Sequence, residues 1–385
     1  MKGHFIPFFC LVIIFYATSC NRNSTDTSPN VASATDFALP SNVIAPSNNQ
    51  QEAQKIALGK LLFFDPILSG NKDVACASCH QPNLAYSDNL DIAIGVNGVG
   101  LGSSRNFASS GSRLFTKRNT PTIVNSAFNG IITTNTGYDP LTAPMFFDNR
   151  KLSLELQSLE PIKALEEMRG TLFTADNALD SVVARLKNIR LYKTMFQSIF
   201  SDVEAVSATN ISKAIAAFER TIIANNSPYD KFINGDANAL TATQKAGFAS
   251  FKSLGCVKCH SGPMFSDYKL HILSVPDNAK IATDVGNGSY AFRTPTLRNL
   301  SLTAPYMHNG TFATLADVMK FYDDIGKNGR SQNSHVANSQ LDTNLNGLND
   351  DSRDQIIAFL QSLDDSSFDK TPPTSVPSNL KVGGN

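Results

Sequence analysis

Two short stretches of this chain carry the residues best suited to chemistry, Cys76-Ala77-Ser78-Cys79-His80 and Cys256-Val257-Lys258-Cys259-His260. In each, two thiols stand three positions apart and an imidazole follows at once. That spacing lets the thiols form thioethers with the two vinyl groups of one haem, while the histidine reaches the iron from one face. A zinc cage uses four thiolates, or thiolates plus histidines, and gives no reason for a histidine directly after both pairs. A thiol–disulfide exchanger needs only C-x-x-C, normally in a βαβ setting that is not visible here. The motifs therefore point to two covalent haem c groups, with His80 and His260 as iron ligands.

The opposite face of each haem decides what it does. Two strong protein ligands make an electron carrier, whereas an open face admits peroxide or oxygen. Candidates after His260 are Met264, Met307, His308, Met319 and Tyr322. Residue type does not choose among them, and each methionine reads equally well as a core residue.

The elements that must position these groups are mostly helical. Ile56, Leu58, Leu61 and Leu62 suit a helix from Glu52 to Phe64, ended by Pro66 and Gly70 before the first motif. Thr241 suits the cap of a second helix with Ala246, Phe248, Phe251 and Leu254 apolar, which leads into the second motif. This weak repeat suggests two related domains. Residues 178–200, 209–225, 314–323 and 350–363 also read as helices. The stretches 91–145 and 262–312 are rich in Gly, Asn, Pro and Thr without periodicity, which suits loops wrapped around a ligand. The expected fold is mostly α, with two cytochrome c-like haem domains and long loops, at residues 51–208 and 209–364. A C-terminal tail, 365–385, can pack back on the first domain.

Lys2, an apolar run from Phe5 to Ala17 and Thr18-Ser19-Cys20 have the pattern of an export signal over residues 1–20. The small residues before Cys20 suit lipidation of that cysteine, although Ala17 stands where leucine is usual, so soluble secretion stays open. Residues 21–50 read as a flexible linker. The expected location is the periplasm, with an outer-membrane lipid anchor through Cys20. Lysine plus arginine equal aspartate plus glutamate at 33 each, which removes any bulk electrostatic case for nucleic acid as a partner. Tryptophan is absent.

The chain resembles the bacterial di-haem cytochrome c peroxidase family, which includes the MauG-type enzymes, over about 51–365. Its landmarks are Leu58-Gly59-Lys60-Leu61-Leu62-Phe63-Phe64-Asp65-Pro66, Arg118-Asn119-Thr120-Pro121-Thr122 and Phe146-Phe147-Asp148-Asn149-Arg150. Further landmarks are Glu160-Pro161-Ile162, Arg293-Thr294-Pro295-Thr296-Leu297-Arg298-Asn299 and Thr303-Ala304-Pro305-Tyr306-Met307-His308-Asn309-Gly310. The resemblance implies that the haem on His80 reduces hydrogen peroxide to water, and that the haem on His260 relays electrons from a small cytochrome c or copper protein. It places the distal acid at Glu167, with Glu166 as the alternative; taken alone, either glutamate suits a solvated acidic turn. It also implies a calcium ion held by Asn119, Thr303 and Pro305; taken alone, Asn119 before Thr120-Pro121 is a turn residue. Arg293 and Arg298 suit bidentate contacts to haem propionates or, equally, surface salt bridges. His308 matches a position between the haems, and His271 and His335 read as surface or supporting residues. A second copy of the chain stays open as a partner.

Three departures refine the subtype. No histidine stands between His80 and Asn119, where well-studied peroxidases carry one that blocks the distal iron. Tyr322, fourteen residues beyond His308, replaces the methionine of those enzymes and matches MauG-type proteins. Phe147 occupies the place of a tryptophan between the haems, which weakens transfer of the MauG-type protein-modifying activity. The rival expectations are a MauG-type oxidase and a non-catalytic electron carrier or sensor with both irons six-coordinate.

Overall fold

Helix α1 (Ala53–Phe64) stops where Asp65 turns extended; its carboxylate then accepts from the Ile67 amide and starts a short 3-10 turn at Pro66. The first haem motif follows as a single turn, α2 (Cys76–Cys79). The computed structural model describes residues 1, 3, 37–108, 113–133, 137–342 and 347–385. Cys10, Cys20 and the export signal lie outside them. After a long loop come α3 (Leu154–Gln157), α4 (Glu160–Lys163), α5 (Ala178–Lys187), α6 (Arg190–Ile199) and α7 (Ala208–Glu219). Then follow α8 (Pro228–Ile233), α9 (Ala242–Ser253), α10 (Leu315–Asn328) and α11 (Asp350–Gln361). Strand content among the described residues is three antiparallel pairs of two-residue strands. Residues Ser33–Asn385 form one compact unit.

The sequence repeat has a structural counterpart. α1 packs on α7 and α9 packs on α11, and each contact turns on a glycine. A Cβ at Gly59 would lie 1.9 Å from the Ala214 carbonyl oxygen and 3.0 Å from Phe218 Cβ. A Cβ at Gly247 would lie 1.9 Å from the Gln355 carbonyl oxygen and 2.9 Å from Phe359 Cβ. One turn beyond each glycine stands a phenylalanine whose ring centroid is 6.4 Å from the motif histidine, Phe63 to His80 and Phe251 to His260. The same local device thus seats each motif on its helix pair.

Several boundaries differ from the sequence reading. Residues 178–200 form two helices, because Ile189 leaves helical dihedrals (φ −97°, ψ 107°). The break lets Tyr192 reach inward to donate to Asp65 at 2.7 Å. Helix α7 ends at Glu219, and α10 runs on to Asn328 before Gly329 caps it. Thr241 caps α9 in a capping box with Gln244, as its sequence position suggests. The flexible-linker expectation fails for its described part, 37–50. Phe37 is buried and stacks on Phe265 at 5.0 Å, and the buried Asn49 donates to Glu155 and to the Lys213 carbonyl. The tail beyond 364 lies on the first motif: Ser78 donates to the Gly383 carbonyl at 2.7 Å, and Ser378 to Asp65 at 2.6 Å.

Gly59→Ala tests the helix contact. On a free helix the change would stabilise by about 1 kcal/mol. Here the added methyl meets the α7 backbone, so the expected outcome is a loss of about 1–3 kcal/mol in denaturant unfolding of the haem-loaded protein. An unchanged or raised midpoint would show that the contact is not tight.

Candidate haem sites

Cys76, Cys79, Cys256 and Cys259 are all free of disulfides. Among the described residues, the one group of three potential metal ligands is Cys259, Asp267 and His271, so the four thiols do not form a zinc cage. His80 and His260 are held alike. The Nδ1 of His80 lies 2.9 Å from the Tyr86 carbonyl oxygen, and that of His260 lies 2.9 Å from the Phe265 carbonyl oxygen. A proton on Nδ1 donating to that carbonyl leaves the Nε2 lone pair for a metal. Burial keeps both rings neutral: it lowers the pKa of His80 and pushes that of His260 down to about 4. Ligation needs that neutral form.

Cys256, Cys259 and His260 open onto a largely apolar cavity that Phe251 and Leu254 also line. Two thiols, a neutral imidazole and apolar walls fit a haem. Helix α10 presents Met319 and Tyr322 to this cavity from one face, since they stand three residues apart. Burial, and then the thiols of Cys259 and Cys256, raise the pKa of the Tyr322 phenol. Met307 and His308 line the cavity as well. Met264 does not reach it, and packs instead with Phe128, Ile131 and Tyr268. The five candidate ligands reduce to four.

Glu167 lies in a π-helical turn, Leu165–Arg169, that follows α4. Such wide turns recur at functional sites. Burial, and then the charge of Glu166, push its carboxyl up to about 7. The loop that packs on its backbone at Gly95 also meets the first motif, where Cys79 Sγ lies 3.9 Å from the Ile94 carbonyl oxygen. A fully buried carboxyl, Glu219 on α7, escaped the sequence reading. Burial pushes it up to about 8, and its charge acts on Cys76. Its neighbour Arg220 is taken by a bidentate pair with Glu155 at 2.7 and 2.9 Å. A glutamate among the buried positions of α7 is the signal that would have found it.

Asn119, Thr303 and Pro305 line the same cavity. The Asn119 amide nitrogen donates to the Leu90 carbonyl at 2.7 Å, which turns its Oδ1 the other way. Neutral oxygens of this kind suit a hard cation. Phe147 is buried on the cavity wall, and Phe292 and His308 stack beside it with centroids 3.6 Å apart. Arg293 lines the cavity and donates from Nε to the Phe146 carbonyl at 2.8 Å. The two expectations for Arg298 both fail: it is buried and pairs with buried Asp230 at 2.9 Å. His335 is half exposed, whereas His271 is pinned between Asp267 and Asp342 at 3.0 and 2.6 Å. Asp267 above all pushes His271 up to about 11.

A mainly helical fold with two C-x-x-C-H sites defines a di-haem c-type cytochrome. Residues 53–238 match the family described as di-haem cytochrome c peroxidase. The methylamine utilization protein MauG of Methylophilus methylotrophus is 32% identical over 349 residues, which cover 89% of this chain and 91% of that protein. The cytochrome c551 peroxidase of Nitrosomonas europaea is 31% identical over 361 residues, 91% of each. The crystal structure of a MauG-like protein associated with microbial copper homeostasis superposes with a TM-score of 0.67 at 25% identity, covering 86% of this chain and 94% of that one. The chain belongs to the di-haem cytochrome c peroxidase family.

The motif assignment is testable by counting haem. Replacing Cys256 and Cys259 together by alanine is expected to halve the covalently bound haem per chain in a pyridine haemochrome assay. An unchanged count would overturn the assignment.

Proposed function

We propose that this chain is a peroxidase that reduces hydrogen peroxide to water with two electrons and two protons, the electrons coming from a small cytochrome c or copper protein. The observation that carries the reading is Glu167, a half-buried glutamate whose carboxyl is pushed up to about 7 near the first haem motif, in a family that contains named peroxidases. The haems would supply iron and electrons, held by Cys76, Cys79 and His80 at the first site and by Cys256, Cys259, His260 and Tyr322 at the second. Glu167 as carboxylate takes a proton from one peroxide oxygen and returns it to the oxygen that leaves as water. A carboxyl with pKa near 7 suits both halves of that transfer. Asn119, with the carbonyls of Thr303 and Pro305, would hold calcium between the sites.

The two seats, Gly59–Phe63–His80 and Gly247–Phe251–His260, support two haem domains, but α1 packs on α7, so the first domain would take in Ala208–Glu219 rather than end at 208. The chain is placed in the periplasm, with Cys20 as the lipid anchor. No helix of the described residues is long and apolar enough to cross a membrane. Tyr322 on the second cavity favours a second reading, a MauG-type oxidase that modifies a protein or small molecule. Phe147 stands against it, because phenylalanine is much harder to oxidise than tryptophan.

Glu167→Gln tests the reading. A base must be deprotonated to accept, so the rate constant with peroxide should rise as pH passes upward through about 7. The glutamine variant is expected to lose about 10²–10⁴-fold in rate and to lose that rise. A variant that keeps both would show that Glu167 is not the acid–base group.

A further inference from the structure

The turn that carries Glu167 is pressed from two sides by glycine loops. A Cβ at Gly70 would lie 1.8 Å from the Arg169 carbonyl oxygen, and one at Gly95 would lie 2.3 Å from those of Glu166 and Glu167. Backbone bonds join the same surfaces, Gly70 N to the Met168 carbonyl at 2.8 Å and Val96 N to the Glu166 carbonyl at 3.2 Å. No side chain intervenes, so a shift of either loop passes directly to the backbone of Glu167.

Each loop is held by one arginine through its carbonyls. Arg105 is buried, and donates to Ile94 at 2.5 Å, Gly95 at 2.8 Å, Gly100 at 2.8 Å and Asn385 at 2.6 Å. Arg185 donates to Ser69 at 2.5 Å, Gly70 at 2.7 Å and Ile67 at 3.3 Å, with its guanidinium 4.6 Å from the Phe173 ring. Taking a guanidinium out of water costs solvation, and here both spend their forks on backbone oxygens rather than on a side-chain carboxylate. The wide turn between them has the π-type spacing, with Arg169 N to the Ala164 carbonyl at 3.0 Å and Gly170 N to the Leu165 carbonyl at 3.1 Å. Such a turn is a single unrepeated unit, so outside braces decide where its side chains point.

We propose that Arg105 and Arg185 are positioning residues for Glu167, acting through the Gly95 and Gly70 loops, and that Asn385 is latched into the same brace. The inference rests on Glu167 being the acid–base group. Its signature is non-additivity: an arginine that acts through Glu167 has nothing left to position once the carboxyl is gone.

The experiment is a pair of double-mutant cycles on the haem-loaded protein, with Arg105→Gln and Arg185→Gln made in the wild-type and Glu167→Gln backgrounds. Readouts are haem per chain, the rate constant with peroxide, and amide hydrogen exchange over 165–170. Arg353→Gln, which breaks a surface pair with Asp350, serves as the control. Each arginine change is expected to lower the wild-type rate by about 10–100-fold, the scale for a small misplacement of a reacting group. In the Glu167→Gln background it should cost no more than about two-fold, the scatter of independent sites. Exchange over 165–170 should quicken with haem content unchanged. If Arg105→Gln fails to assemble, Arg105→Lys keeps one donor and enters the same cycle with a smaller expected loss. Equal losses in both backgrounds, or no loss in either, overturn the inference while leaving Glu167 in place. A Glu167→Gln protein at the wild-type rate overturns the acid–base reading and the inference together.

Discussion

Each site depends on one hydrogen bond, from a half-buried histidine Nδ1 to a backbone carbonyl five or six residues further on, Tyr86 for His80 and Phe265 for His260. A neutral imidazole is free to rotate, and only such a bond fixes both its tautomer and its direction. The rest of the architecture serves to hold that carbonyl and that ring. The helix before each motif carries the phenylalanine against the ring, and a glycine one turn earlier lets a second helix come close enough to keep the seat rigid. The chain therefore builds the same seat twice. What differs is the surround, with a raised carboxyl at the first site and a phenol at the second.

On the proposed function, that difference divides the labour. A carboxyl of pKa about 7 near an iron face moves protons, whereas a tyrosine beside the iron favours its oxidised states. Asn119, Phe147, Phe292 and His308 all line the cavity of the second motif. The stack of Phe292 on His308 and the bidentate hold of Arg118 on Asp284 fix the side chains along this wall. With no tryptophan in the chain, electrons must cross without a readily oxidised side chain of that kind.

The features legible in the sequence are those written in contiguous residues. C-x-x-C-H, the Thr241 cap and the stop at Asp65-Pro66 need no knowledge of distant neighbours. The break at Ile189, the pairing of Arg298 with Asp230 and the burial of Phe37 and Asn49 were not legible, because each is settled by residues far away in the chain. Glu167 falls between these classes. Its place is written only in a family pattern, and its raised pKa comes from desolvation and then from the charge of Glu166, neither visible in the sequence. Glu219 shows the cost of reading helices by apolar period alone, since a buried carboxyl hides among the alanines of α7.

The central claim is that one iron face stays open while the other is closed by Tyr322. Low-temperature EPR of the ferric protein tests it most directly, with wild type beside Tyr322→Phe and hydrogen peroxide added to each. The account predicts one high-spin signal that peroxide removes, and one low-spin signal that changes when Tyr322 is lost. Two low-spin signals that neither treatment alters would contradict it, and would make the protein an electron carrier.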